Sequence, residues 1–174
     1  DGNKAINGPT SYGYAGSAGW FRAYANGSTL NTNFTNNTYA NNLDTGTHAS
    51  ALNRATIGLE KRGSGVINSQ INNCIFWNNL DVGSTTAKAI NRIADTFSPT
   101  TTTVNNSLDS DNFSTITNKI NIVTTNPQFV SSTNFQLTSG SPAIDTGSNT
   151  YVIGTTDVLG NARIHNTTVD MGAY

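Results

Sequence analysis

Displaced against itself by about 37 residues, the chain matches its own sequence, and a repeat of that period is compatible with few folds. The stretch FTNNTYANNLDTGT at 34–47 falls on INNCIFWNNLDVGS at 71–84. Phe34 meets Ile71, Asn36 meets Asn73, and Tyr39 meets Phe76. Asn41, Asn42, Leu43 and Asp44 meet Asn78, Asn79, Leu80 and Asp81. A shorter third copy, VNNSLDSDN at 104–112, puts Val104, Asn106, Leu108 and Asn112 in the corresponding slots. Copies spaced by roughly 30–40 residues predict a solenoid whose turns carry insertions.

Each copy holds a short alternating run, an Asn pair and a turn, which is the pattern of short β-strands. Asn tolerates the left-handed backbone that a sharp bend between strands requires. Stacked on the Asn of the next copy, its amide would donate and accept in a ladder. Apolar residues stacked in the same way fill a narrow core. That accounts for an apolar fraction of only 35% with 11% charged residues, where globular domains carry about 45–50% apolar residues. The predicted fold is therefore all-β: a right-handed parallel β-helix comprising C-terminal rungs plus an end-capping segment. A β-sandwich would also be all-β, but the repeated asparagines favour the solenoid. Residues 49–63, ASALNRATIGLEKRG, lack a consistent helical apolar face and read as an excursion followed by a strand at ATIGLE. The expected divisions are a Gly/aromatic-rich loop or incomplete first rung at 1–27, rungs with insertions at 28–125, and a capping segment at 126–174.

Two Asp-Thr-Gly triplets, at 44–46 and 145–147, suggest a pepsin-like protease, in which two such loops share one proton. The repeat argues otherwise. The slot of Asp44 and Gly46 is filled by Asp81 and Gly83 around a valine in the next copy, and Asp170 and Gly172 flank a methionine. A turn accepts that exchange, because Asp bonds backbone N–H groups ahead of it and Gly takes positive φ freely. Asp44, Gly46, Asp81, Gly83, Asp145, Gly147, Asp170 and Gly172 are read as turn residues, and no catalytic residue is assigned.

A net charge of −1 supplies no basic field for nucleic acid or acidic membranes. No apolar run is long enough to span a bilayer. Cys74 is the single cysteine and sits in an apolar run, as a buried inert thiol would. The start at Asp1, without Met, reads as a mature or trimmed piece.

The motifs INNCIFWNN, NIVTTNPQFVSSTNFQLTSGSPAIDTGSN and TTDVLGNARIHNTTVDMGAY resemble a known group. They are similar to the C-terminal part of bacterial surface and secreted proteins with pectate-lyase-like β-helices, which end in a choice-of-anchor Q domain. The resemblance covers residues 66–174 tightly, 28–65 loosely and 1–27 not at all. It lacks the Glu that follows the final Tyr in the family and any anchor segment. It implies an extracellular or bacterial cell-surface location, in some relatives through type IX secretion. Secretion or anchoring machinery would then be a partner through a tail beyond Tyr174.

Three groups are candidate sites. Asp145, Asp157 and Asp170 would either gather as oxygen ligands for Ca²⁺ or each cap its own turn with Arg163 paired to one of them; the turn reading is preferred and no cofactor is expected. Tyr12, Tyr14, Trp20 and Tyr24, with Phe21, would form a sugar-stacking platform or else pack onto the solenoid. Glu60, Lys61 and Arg62 with His48 concentrate titratable groups, but GLEKRG reads as a solvated strand end. The Thr run at 100–103 is reminiscent of ice-binding solenoids, yet Thr does not recur at one slot in successive copies. The functional expectation is a non-catalytic adhesin or glycan-binding stalk whose partner is a polysaccharide or cell-surface glycan. The alternative is a polysaccharide lyase or glycoside hydrolase with its groove upstream of Asp1.

Overall fold

Strands form where β-branched and aromatic residues alternate, and they pair with the equivalent strand one copy away. A computed structural model describes residues 4–5, 15–23, 27–44, 54–61, 63–81, 90–94 and 101–174. These residues hold strands β1 (Lys4–Ala5), β2 (Ala15–Ala23), β3 (Thr29–Thr35), β4 (Thr38–Ala40), β5 (Leu43–Asp44) and β6 (Arg54–Lys61). They continue with β7 (Val66–Asn72), β8 (Ile75–Trp77), β9 (Leu80–Asp81), β10 (Ile90–Ala94), β11 (Thr101–Asp109) and β12 (Asn118–Val123). A 3-10 turn follows at Asn149–Tyr151, and the described residues contain no α-helix.

The strands make three sheets, ordered β1-β5-β9, β10-β6-β2 and β3-β7-β11-β8-β4, with β12 also on β11. Every strand pairing is parallel. The register expected from the repeat is observed: Phe34 lies on Ile71, Tyr39 on Phe76, and Leu43 and Asp44 on Leu80 and Asp81. Val104 lies on Ile71 and Leu108 on Ile75 in the third tier. The first step is 37 residues and the second 33.

Asparagine makes the bends between these strands. Asn36, Asn73 and Asn106 have φ of 54°, 52° and 47°, and Asn41, Asn78 and Asn112 have 55°, 52° and 54°. Asn is the non-glycine residue best suited to this region, since a β-branched side chain there is strained. The ladder bonds follow. Asn68 donates to Asn31 at 2.9 Å, Asn78 to Asn41 at 2.7 Å, and Asn105 to Asn72 at 2.9 Å, all between side-chain amides. Within each Asn pair the second residue turns inward: Asn42 and Asn79 are buried and share a 2.7 Å bond, while Asn79 also donates to the Tyr39 carbonyl at 2.9 Å.

The inner core is a set of columns running through the tiers. Phe34, Ile71 and Val104 form one, and Leu30 and Ile67 another. Tyr39 stacks on Phe76 with ring centroids 4.7 Å apart, and Phe113 meets Phe76 edge-on at 5.5 Å. Cys74 is buried, and burial pushes its thiol up to about 12, so it is a packing residue. A second cluster lies on the other side of β8 and β11, where Ile75 and Leu108 meet Ala143 and Met171. Successive strand residues point to opposite faces, so Phe76 enters the inner core and Ile75 faces the C-terminal segment. Within 1–27, expected as a Gly/aromatic-rich loop or incomplete first rung, residues 15–23 form β2 beside β6, with a register shift between Gly16 and Gly19. No helix among the described residues is long and apolar enough to cross a membrane.

Candidate functional site: a neutral amide face and a C-terminal strap

The outward residues of β3, β7, β11 and β12 align across the sheet. Asn31, Asn68 and Thr101 form one row, and Asn33, Gln70, Thr103 and Asn118 the next. Thr35, Asn105 and Ile120 lie in a third, in which Asn72, between Thr35 and Asn105, is buried. Rows of this kind repeat about every 4.8 Å across the strands and about 6.6 Å along them. None of these positions is charged. The amides hold one another: besides the ladder bonds above, Asn72 donates to Asn33 at 3.3 Å and Thr35 to Asn33 at 2.8 Å. Ile120, 62% exposed, adds an apolar corner. Sequence reasoning identified the amide ladder but not this surface. Its signal was present in the alternation of TLNTNFT, VINSQIN and TTTVNN once these are set in register. Thr does not recur along any of the three rows, so the ice-binding pattern is not formed here.

Segment 126–174 lies on the outer side of β8 and β11 as a strap touching all three tiers. Its closest tie is Asn73, whose side chain donates to the Ser148 carbonyl at 3.0 Å and accepts the Ser148 N–H at 2.8 Å. The Asn73 carbonyl accepts the Gly172 N–H at 2.7 Å. Asn106 donates to the Thr146 carbonyl at 3.4 Å, Asn41 to the Ser132 carbonyl at 2.8 Å, and the Ala173 N–H to Thr38 Oγ1 at 3.0 Å. The strap is therefore laid along the tiers.

The carboxylates of the strap are occupied by its own backbone. Asp157 Oδ1 accepts the N–H groups of Leu159 and Asn161, both at 2.8 Å. Slight desolvation opposes ionisation of Asp157, but the bonds from Asn161 and Leu159 outweigh it and hold the carboxyl below its ordinary range. Asp170 Oδ1 accepts the Asp145 N–H at 2.7 Å, and burial raises Asp170 despite that bond. Asp145 Oδ2 accepts from Asn166 at 2.9 Å. Arg163, 6% exposed, bonds to three main-chain carbonyls, those of Asp170 at 2.8 Å, Gly172 at 2.6 Å and Tyr174 at 2.7 Å. It was expected to pair with an aspartate; its guanidinium instead ties down the final residues. Asp157, Arg163, His165, Asp170 and Tyr174 line a groove of about 530 Å³. Among the described residues no group of three or more His, Cys, Asp or Glu could hold a metal ion.

The other expected residues fall as follows. Asp44 and Asp81 pair with each other at the ends of β5 and β9, while Gly46 and Gly83 lie outside the described residues. Gly147 is required by contact, since a Cβ there would sit 2.7 Å from both Val169 Cγ1 and its carbonyl. Gly172 has φ of 92° and a Cβ would meet Thr38 Oγ1 at 2.7 Å. Tyr12, Tyr14 and Tyr24 lie outside the described residues; Trp20 is in β2, in register with Gly58. Phe21 packs edge-on against Phe34 with centroids 5.1 Å apart.

One expectation is corrected. Glu60 and Lys61 are not a solvated strand end; both are fully buried. The reason is that β6 is the central strand between β2 and β10 and is buried on both faces, with every residue from 56 to 61 buried, as is usual in parallel sheets. His48 and Arg62 lie outside the described residues. A group not singled out from sequence is Asp109, buried at the end of β11, where burial pushes its carboxyl up to about 6 although it accepts the Phe113 N–H at 2.8 Å. Comparison with family models, curated proteins and solved structures finds no match for this chain.

Proposed function

We propose that the tiers are coils of a right-handed parallel β-helix and that the chain is a non-catalytic extracellular stalk or passenger that recognises glycans. The observation that carries the reading is the single register shared by the tiers, with the strap held to the outer side of β8 and β11 beside the amide rows. A scaffold of this kind gives a long, regular and rigid surface, which suits recognition of a repetitive partner. The placement outside a bacterial cell, with the choice-of-anchor Q resemblance, rests on the motifs quoted above. A lyase reading draws no support from Glu60 and Lys61, because buried side chains in a sheet cannot meet a polymer at the surface. The test is retention of the 174-residue chain on a panel of immobilised polysaccharides, beside assays for unsaturated or reducing ends. Retention without product is the expected result. Product release with turnover would replace the proposal with an enzyme.

A further inference from the structure

We propose that the outer face of β3, β7, β11 and β12 is the glycan site and that it takes an uncharged polysaccharide, not a uronate polymer. This rests on the glycan-binding reading above and names its site and substrate class. Three features of the face point the same way. First, the rows through Asn31, Gln70 and Asn105 present only amides, hydroxyls and isolated apolar groups. Stacking does not require that neutrality, since opposite charges on adjacent strands stabilise a sheet as well as amides do. The lysine of β12, Lys119, is in register with Val104 between the rows, and its Nζ is bonded to the Asn112 carbonyl. The rows themselves therefore offer a polymer of carboxylates no cation, whereas sugar hydroxyls find both donors and acceptors.

Second, the side chains are held before any ligand arrives. Asn68 and Asn31, Asn105 and Asn72, and Thr35 and Asn33 are each joined by bonds of 2.8–2.9 Å. Each primary amide has two donors and two acceptor positions, so a ladder bond fixes its plane and leaves groups to spare at Asn31, Asn68 and Asn105. Asn72 is buried and serves only to hold its neighbours. Fixing them in advance removes part of the entropy cost of binding. Third, the spacing between strands, about 4.8 Å, is close to the advance per sugar of an extended glycan. A chain crossing the strands along Asn33, Gln70, Thr103 and Asn118 therefore meets an uncharged polar group at each step. Ile120, 62% exposed beside Asn105, offers an apolar contact for a sugar C–H face.

The test is affinity electrophoresis of the whole chain through gels containing a neutral glucan, mannan or xylan, or polygalacturonate. Retardation by at least one neutral polymer, unchanged when salt is raised, is expected, with none by polygalacturonate. Gln70→Glu places a charge at an exposed position between Asn33 and Thr103 and is expected to weaken neutral binding about tenfold, the loss of roughly one hydrogen bond's worth of affinity, at an unchanged melting temperature. Gln70→Asn, which keeps the amide, is expected to lose less. Retardation by a neutral glycan that is equal in the parent and Gln70→Glu would overturn this assignment while leaving the wider glycan reading intact, as would binding to polygalacturonate alone. Thermal hysteresis without retention on any polysaccharide would identify ice as the ligand and sink both, and so would the absence of all binding.

Discussion

Asp109→Asn isolates the cost of one buried charge. The carboxyl lies at the end of β11, is 2% exposed, and accepts the Phe113 N–H at 2.8 Å. Burial raises it most, with Asp111 adding to the rise, while the N–H bonds of Phe113 and Asp111 and the charge of Lys119 only partly offset them. The result is a move from 3.8 to about 6. A carboxyl raised on folding binds its proton more tightly in the folded chain, so the folded state carries the extra proton between about pH 4 and pH 6 and stability falls as pH rises through that window. At about 1.4 kcal/mol per pKa unit, ionising Asp109 costs roughly 3 kcal/mol of stability, fully felt above about pH 6. Asn keeps a carbonyl oxygen for the Phe113 N–H and cannot ionise. Urea unfolding of parent and Asp109→Asn at pH 4 and pH 7.5 separates this group from every other titration, because those cancel in the difference. The variant is expected to gain about 2–3 kcal/mol relative to the parent between the two pH values. A difference that is the same at both pH values, or that moves the other way, would refute the reasoning.

Other substitutions probe the strap and the stacked slots. Gly147→Ala forces a methyl to within 2.7 Å of Val169 and is expected to destabilise by about 1–3 kcal/mol, read as a lower urea midpoint with cleavage of 126–174 by a trace of protease. Asn73→Gly keeps the left-handed bend but removes both bonds to Ser148, for an expected loss of about 1–3 kcal/mol. Asn36→Gly at the equivalent slot is expected to be neutral or stabilising in the same assay, because both polar atoms of the Asn36 amide are buried without partners. Thr102→Val replaces a buried hydroxyl that lacks a partner with a methyl of similar size and is expected to raise stability by about 1 kcal/mol, measured by the urea midpoint.

The pairing of the tiers was legible because the same residue types recur at the same slots. Once Phe34 is set on Ile71, the register of β3, β4 and β5 against β7, β8 and β9 is fixed, since a slip by one residue would turn every core side chain outward. The sheet of β2, β6 and β10 was harder to read. AGSAGWFRA and RATIGLEK share no residue pattern, so their pairing is carried by position in the tier. The burial of Glu60 and Lys61 was misread for the same reason: one strand taken alone does not reveal that both faces of its sheet are covered. β12 follows β11 after a short connection rather than a full tier, so NKINIV falls outside the period that revealed the others. The strap's place beside β8 and β11 depends on a side-chain amide meeting a backbone 75 residues away, which no local pattern encodes.

Asparagine connects these observations, because one side chain meets three demands that stacked strands impose. At a bend it accepts the left-handed backbone; on an outward slot it bonds to its counterpart in the next tier; at Asn73 it pairs with the strap through both its N–H and its oxygen, much as a strand residue would. Glycine would meet the first demand alone. Aspartate brings like charges into adjacent strands, which is destabilising, and among the described strands the chain stacks it only at the ends of β5 and β9, where Asp44 lies on Asp81. The amide is thus the side chain that lets one sequence element be copied from tier to tier without electrostatic penalty. A chain built in this way needs little charge and few apolar residues, and the same choice leaves neutral rows exposed on β3, β7, β11 and β12.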